Sequence, residues 1–148
     1  MSKIKNFELA TVGDVGVGKT CSEIFPEFRP ILYSQQDGYI LFFSVNNLNS
    51  FQNIEKKWFP DIQEFQANKP VFLIGTKSEL RSQGGELVTT EQAEDLVKKL
   101  KFSGYFECSA KTKNNLKSTF DQIAHEVLSS YNKSNSNKFS SCMQCIIQ

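Results

Sequence analysis

The sequence predicts an α/β fold in which a mostly parallel, doubly wound sheet carries helices on both faces. One observation is that segments with a strand pattern alternate with segments in which apolar residues recur at helical spacing. A second is that residues 39–45 and 71–75 are almost continuously apolar, which is typical of central parallel strands buried on both faces. Ligands of such sheets bind at the carboxyl ends of the strands, so the loops that follow the strands are the candidate site.

The other strands and the short helices are predicted from local patterns. Residues 4–12 alternate in polarity and form the first strand, and residues 105–109 form the fourth. A helix that begins near Gly18 should end before Pro26, because proline breaks a helix interior. Pro30 is suited to the first turn of a second short helix, at residues 31–36.

Three longer helices complete the prediction. The first covers residues 49–65, with Asn49 or Ser50 as its cap and a kink or break at Pro60. The second begins with a capping box formed by Thr89 and Gln92 and runs to about residue 100. The third covers residues 114–131 and carries one apolar stripe. The chain then becomes polar and loses its periodicity, so we expect a domain at residues 1–131 and a disordered tether at 132–148.

Charge and cysteine content exclude several classes of protein. The 148 residues include 17 basic and 16 acidic side chains, so the chain lacks the positive field of a nucleic-acid-binding protein. We expect a cytoplasmic protein, because the first residues lack the apolar core of a signal peptide and no apolar run approaches membrane-spanning length. The four cysteines should then be reduced thiols. No cysteine and histidine cluster has zinc spacing, and His125 is expected to be a surface or packing residue.

The stretch after the first strand has the GxxxxGK[ST] spacing of a phosphate-binding loop. Glycines at its first and sixth positions permit backbone angles that turn successive N–H groups toward a phosphate. The lysine would bring a cation to the outer phosphates, the hydroxyl of the last residue could bind Mg²⁺, and the dipole of the following helix would add positive potential. A chance glycine-rich turn is the alternative. The stretch consists of Gly13, Asp14, Val15, Gly16, Val17, Gly18, Lys19 and Thr20.

Together with this loop, three further motifs resemble those of Ras-superfamily small GTPases. Thr76-Lys77-Ser78-Glu79 follows the third strand, Cys108-Ser109-Ala110-Lys111 follows the fourth, and Cys145-Ile146-Ile147-Gln148 is the last stretch. The Rho/Rac branch is the more similar, because it shares Cys21 after the loop, Phe-Arg-Pro-Ile-Leu-Tyr at residues 28–33, Phe-Ser-Val at 43–45 and Lys-Lys-Trp-Phe-Pro at 56–60. The resemblance implies a P-loop NTPase-like sheet, here reduced to about four parallel strands, and a membrane-anchored signalling switch of the kind that regulates the cytoskeleton.

The resemblance also implies ligands and residue roles. Guanine nucleotide (GTP or GDP) and Mg²⁺ would bind at Gly13 to Cys21, with Thr20 as the metal ligand. Thr76 would belong to the loop that places the stem of Lys77 along the guanine ring. Backbone N–H groups around Ser109, Ala110 and Lys111 would meet the guanine carbonyl oxygen. Exchange factors, GTPase-activating proteins and effectors would be the protein partners.

Glu79 departs from the family, which has Asp at this position to accept two hydrogen bonds from guanine. The extra methylene of Glu would push the carboxylate out by more than about an ångström, and a two-bond contact is sensitive to such a displacement. We therefore expect guanine preference to be weak or lost. The alternative is that Glu79 is a solvated loop carboxylate.

The last four residues fit a C-a-a-X prenylation box, which predicts a farnesyl group on Cys145. A single lipid chain gives only marginal anchoring, so Cys142 is a candidate palmitoylation site. These two sites predict a location at the cytosolic face of the plasma membrane or an internal membrane. A chance cysteine-aliphatic terminus is the alternative.

A segment that the family carries is missing from this sequence. Only residues 22–28 separate the phosphate-binding loop from Arg29-Pro30, which resembles the end of the second switch, and no Asp-x-x-Gly-Gln occurs. The Mg²⁺-binding Thr of the first switch and the water-positioning Gln are therefore absent, and we assign no catalytic residue. We expect weak nucleotide binding, little discrimination between GDP and GTP, and hydrolysis near background. The alternatives are a nucleotide-independent, membrane-tethered interaction module and a truncated product of an ordinary Rho-like gene.

Overall fold

The computed structural model describes residues 7–17, 33–134 and 145–147, which build one parallel sheet flanked by helices. Its strands are β1 Phe7–Gly13, β2 Gly38–Ser44, β3 Val71–Thr76, β4 Gly104–Glu107 and β5 Cys145–Ile147. Their order in the sheet is β4-β3-β2-β1-β5, and every pairing is parallel. The predicted α/β fold with a core of four parallel strands is confirmed. β5 is an addition that the sequence did not predict.

The helices are α1 Leu48–Asn53, α2 Phe59–Gln63, α3 Thr90–Leu100 and α4 Leu116–Ser134. A π-helical segment, Ile54–Trp58, joins α1 to α2, and a 3₁₀ segment, Ser78–Gln83, follows β3. Tyr33 and Ser34 are helical, in agreement with part of the short helix predicted at residues 31–36. The helix predicted to begin near Gly18 lies outside the described residues. Within the described part of the chain, no helix is both long and apolar enough to cross a membrane.

The core lies on both faces of the sheet, because β2 and β3 are buried along their whole length. Alternate residues of β2 point to opposite faces. Tyr39 and Phe43 pack on one face with the helical stretch α1 to α2 and with α3. Ile40 and Phe42 pack on the other face with α4. The two continuously apolar runs therefore fold as the sequence predicts.

The helix after β2 begins earlier than predicted, and its cap is Asn47 instead of Asn49 or Ser50. The Asn47 side chain accepts a hydrogen bond of 3.0 Å from the Ser50 N–H. Ser50 is buried and has another role, since its hydroxyl accepts from the Ser44 N–H at 3.0 Å and donates to the Asn47 carbonyl at 2.7 Å. The strand end and the helix start are thus tied together by side chains that spacing alone could not rank.

The predicted disturbance at Pro60 is present as a π-helical turn. Pro60 lies in the first turn of α2 and has no N–H to offer the preceding turn. The N–H of Phe59 bonds to the carbonyl of Ile54, five residues back, so the helix widens and continues instead of breaking.

The last two helices follow their predictions closely. The capping box of Thr89 and Gln92 is formed in both directions. α4 buries Ile123 and Val127 of its predicted stripe and continues to Ser134, past residue 131. β5 pairs with the outer side of β1 at Phe7–Leu9, so that part of the sheet edge is covered. The division into a domain and a tether stays a prediction.

Candidate functional site

The loop after β1 begins with a glycine that no other residue can replace without strain. Gly13 has a φ of +154°, and a Cβ added to it would lie 2.4 Å from the carbonyl oxygen of Phe42, its partner on β2. Gly16 has a φ of +79° in open space, and Val17 is buried against the α4 face of the sheet. The residues from Gly13 to Val17 therefore form a tight turn close to the backbone of β2. The predicted residues Gly18, Lys19, Thr20 and Cys21 lie outside the described part of the chain.

Asp14 attaches this turn to the neighbouring helices. Its carboxylate accepts 2.8 Å hydrogen bonds from the side-chain amide of Asn53 and from the indole N–H of Trp58. Neither residue is assigned to the site by the sequence motifs. The only available signal was that Trp58 belongs to the Lys-Lys-Trp-Phe-Pro motif, because a contact across 39 or 44 residues depends on the fold.

Thr76 joins the turn to the end of β3. Its buried hydroxyl is within hydrogen-bonding distance of the Val17 carbonyl and lies 3.0 Å from the carbonyl of Phe43. The candidate phosphate loop and the candidate base loop are therefore in direct contact, as expected for loops at the carboxyl ends of parallel strands.

The loop after Thr76 has a constrained backbone. Lys77 has a φ of +60° and a ψ of 37°, the left-handed conformation, which costs a non-glycine residue roughly 1–3 kcal/mol. The N–H of Ser78 bonds to the carbonyl of Cys108 at 3.3 Å, so this loop is held against the loop after β4.

The Glu79 carboxylate is only partly satisfied. Its Oε2 atom is buried and has no hydrogen-bond partner among the described residues, and the Ser78 hydroxyl oxygen is in the same condition. A hydrogen bond from Ser109, then the backbone N–H of Glu79 itself and the nearby cations of Lys111 and Lys77, hold the pKa of Glu79 below its usual range. The group is therefore an ionised acceptor with spare capacity.

In the loop after β4, some backbone N–H groups are hydrogen-bonded within the loop and others are not. The N–H of Ser109 bonds to the Asn114 carbonyl at 3.1 Å, and the Ser109 hydroxyl accepts from the Thr112 N–H at 3.1 Å. The Ser109 N–H is thus used within the loop. In the described part of the protein, no hydrogen bond is present from the N–H of Ala110 or of Lys111, and both residues are exposed.

Two further groups near these loops limit the chemistry. Burial raises the pKa of the Cys108 thiol, so this cysteine stays protonated between the two loops. Among the described residues there is no cluster of three or more His, Cys, Asp or Glu side chains that could hold a metal ion.

A parallel sheet with a glycine turn after its first strand, and with polar loops at the neighbouring strand ends, defines a P-loop NTPase-like α/β domain. The family follows from comparison with known proteins. The model of the Ras family matches residues 22–129, more than two thirds of the sequence, and the chain therefore belongs to the Ras family. The predicted membership of the Ras superfamily is confirmed. The matched region begins just after the phosphate-binding loop.

A curated relative is similar to this chain over most of its residues. The "Ras-like GTP-binding protein RhoL" of Drosophila melanogaster is 36% identical to this chain over 106 residues, which is 71% of this chain and 56% of that protein. The chain thus spans only a little more than half the length of this relative.

Proposed function

We propose that this chain is a Rho-like small GTP-binding protein that holds a guanine nucleotide across its strand ends. The phosphates would lie at Gly13 to Cys21, and the base would lie between the loop of Lys77 and Glu79 and the loop of residues 109–111. The observation that carries the proposal is the buried Oε2 atom of Glu79, which has no partner among the described residues.

A buried acceptor without a donor is unfavourable, so natural proteins rarely leave one in place without a reason. A ligand with two adjacent N–H donors would remove this cost. Guanine has such a pair in its N1–H and exocyclic amine, whereas the corresponding edge of adenine has a single amine beside an acceptor nitrogen. The unfilled carboxylate therefore favours guanine over adenine, within the limit set by the extra methylene of Glu79.

The opposite loop supplies the complementary donors. The amides of Ala110 and Lys111 have no described partner, and a guanine carbonyl oxygen needs such donors. Lys77, held in a strained backbone, would lay its aliphatic stem along one face of the ring. Acceptor and donors therefore lie on two loops that are bonded together through Ser78 and Cys108.

The described half of the phosphate loop also fits a phosphate ligand. A Cβ would exclude the backbone of Gly13 from its place beside β2, and the Asp14 carboxylate is engaged by two neutral donors, which reduces its capacity to repel an anion. Lys19 and Thr20 would complete the contact with the phosphates and Mg²⁺. Mg²⁺, if held by Thr20, would supply positive charge that offsets the charge of the phosphates.

Hydrolysis is proposed to stay near background. Water attack depends on a positioned nucleophile and on a metal held from two sides, and the sequence contains no Asp-x-x-Gly-Gln. With no switch segment to sense the terminal phosphate, the affinities for GDP and GTP should be similar. The same loss favours the second candidate function, an interaction module that works without nucleotide.

Membrane attachment is part of the proposal, through a farnesyl group on Cys145 and a palmitoyl group on Cys142. The backbone of Cys145–Ile147 pairs with β1, so we propose that this segment leaves the sheet edge when a modifying enzyme engages it. Exchange factors, GTPase-activating proteins and effectors of Rho-like proteins are the proposed partners, at the cytosolic face of the plasma membrane or an internal membrane.

Titration of a fluorescent GDP or GTP analogue against the folded chain, with and without Mg²⁺, tests nucleotide binding. We expect binding in the micromolar range, similar for the two nucleotides. Lys19→Ala should abolish it, and Lys99→Ala, which removes only an exposed ion pair with Glu55, should leave it intact. Absence of binding at high micromolar concentrations of folded protein would refute the proposal and favour the interaction module.

Membrane fractionation tests the anchor separately. Cys145→Ser should move the protein from the membrane fraction to the soluble fraction, and Cys142→Ser should weaken its retention, because a single lipid chain anchors only marginally. A Cys145→Ser variant that stays on membranes would contradict farnesylation at this residue.

A further inference from the structure

Arg81 and Glu107 form a salt bridge that connects two parts of the chain beside the proposed base site. The guanidinium of Arg81 binds both carboxylate oxygens of Glu107, with Nε 2.6 Å from Oε2 and Nη2 bonded to Oε1. The side chains are only 28% and 19% exposed. The Tyr105 hydroxyl also donates to Oε1 at 2.5 Å, and the Thr90 hydroxyl lies 3.3 Å from the same atom. One carboxylate thus collects donors from β4, α3 and the 3₁₀ segment.

Arg81 and Glu107 each lie next to one of the two loops of the candidate base site. Arg81 follows Glu79 by two residues in the 3₁₀ segment, and Glu107 is the last residue of β4, directly before the loop that contains Ala110 and Lys111. The connection therefore spans the two loops between which the base would lie.

The charges of the pair are maintained in the folded protein. Burial alone would raise the pKa of Glu107, but the hydrogen bonds from Arg81 and Tyr105 hold it below its usual range. The hydrogen bond to Glu107 raises the pKa of Arg81 further. An arginine that binds a carboxylate through two parallel bonds fixes the relative orientation of both groups, which a lysine cannot do.

Tyr105, which donates a hydrogen bond to Glu107, is itself packed against the core of the sheet. A Cβ added to Gly75 would lie 2.8 Å from the Tyr105 hydroxyl oxygen, so the tyrosine that donates to Glu107 is packed directly on the β3 backbone. Tyr105 also stacks on Phe43 with ring centroids 6.2 Å apart. Movement of Glu107 is therefore restricted from the side of the sheet as well as by Arg81.

We infer that Arg81 and Glu107 are positioning residues for base recognition, which set the separation between the Glu79 carboxylate and the amides of Ala110 and Lys111. This inference rests on the proposed function. Neither residue touches the base; each acts through the loop that it holds. Loss of the connection would let the two loops separate, so the base would lose contacts while the phosphates keep theirs.

The test compares GDP with pyrophosphate, which occupies the phosphate loop and cannot touch the base site. Calorimetric titrations of the full chain would use Glu107→Gln, which keeps the side-chain shape but loses the charge, and Arg81→Lys, which keeps the charge but loses the fork. We expect both variants to bind GDP about tenfold more weakly, the cost of one weakened hydrogen bond to a charged group. The pyrophosphate affinity should be unchanged. An equal fall in the affinities for both ligands would overturn the inference, because it would indicate a general loss of structure.

Glu55→Gln is the matched control, because it neutralises a carboxylate in an ion pair of 2.5 Å with Lys99, which joins the π-helical segment to α3. It should leave the affinities for both ligands unchanged. If Glu107→Gln does not fold, the half-buried Arg81→Lys variant carries the test alone. A wild-type chain that binds GDP no more tightly than pyrophosphate has no base site, and both the proposed function and this inference fail. Tighter GDP binding that neither variant weakens overturns the inference alone.

Discussion

Replacement of Gly13 by Ala should destabilise the fold far more than the same replacement at Gly16. At Gly13 the new Cβ would lie 2.4 Å from the Phe42 carbonyl oxygen and 3.2 Å from the Phe42 Cβ, about 1 Å inside ordinary contact distance. Gly13 and Phe42 are paired residues of β1 and β2, so the strain falls on the carboxyl end of β1, where it pairs with β2. Overpacking costs about 1–3 kcal/mol, and the positive φ adds about 1–3 kcal/mol.

The total for Gly13→Ala is about 4 kcal/mol, a large share of the 5–15 kcal/mol that stabilises a typical domain. Gly16→Ala is the control, because its φ of +79° is strained but no atom lies within 4 Å of the new Cβ, which limits the cost to about 1 kcal/mol. Urea unfolding followed by circular dichroism gives both free energies. Equal costs for the two variants would refute the assigned geometry of the loop.

Three further predictions concern the site and the core. Trp58→Phe removes a hydrogen bond to the charged Asp14 and should lower the free energy of unfolding by about 2 kcal/mol; an unchanged urea midpoint would contradict this. Glu79→Asp restores the side-chain length found in the family and should raise the affinity for GDP relative to ADP about tenfold, whereas an unchanged ratio in competition assays would remove Glu79 from base recognition. Burial, with Tyr33 nearby, raises the pKa of Tyr39 from 10.0 to about 12, so the folded state disfavours the phenolate. The contribution of Tyr39 to the free energy of unfolding should therefore be complete below pH 10 and be lost between pH 10 and about 12. Tyr39→Phe should remove only part of this loss, because burial also raises the pKa of Tyr105, which contributes in the same way. Equal urea midpoints of the wild-type chain at pH 9 and pH 11.5 would contradict this prediction.

The fold was largely predictable because its strongest signals are local. The continuously apolar runs of β2 and β3 have no other favourable place than the centre of a parallel sheet. The capping box at Thr89 is a contact within one helical turn, so four residues of sequence contain all of it. The cap at Asn47 was missed because three polar residues within four positions could each serve, and the choice depends on the bond between Ser50 and Ser44.

The motifs of the site could be predicted from the sequence, but the long-range hydrogen bonds that hold them in place could not. The glycine spacing and the residues 76–79 and 108–111 are read from short stretches, since each is a local solution to binding one part of a ligand. The hydrogen bonds of Asp14 with Asn53 and Trp58, and the connection of Arg81 with Glu107, join residues 26 to 44 positions apart. Such pairs are determined by which strand ends are neighbours, and the pairing of β5 with β1 likewise has no counterpart in the local pattern.

Calorimetric titration of the folded chain with GDP in the presence of Mg²⁺, beside an identical titration with ADP, tests the central claim most directly. If the glycine loop and the two base loops hold a guanine nucleotide, GDP binds at one site with micromolar affinity and more tightly than ADP. The unfilled carboxylate of Glu79 predicts that preference, and its extra methylene predicts that the preference stays below about tenfold. Equal binding of GDP and ADP would contradict the base site, and no binding of either to a folded sample would contradict nucleotide binding altogether.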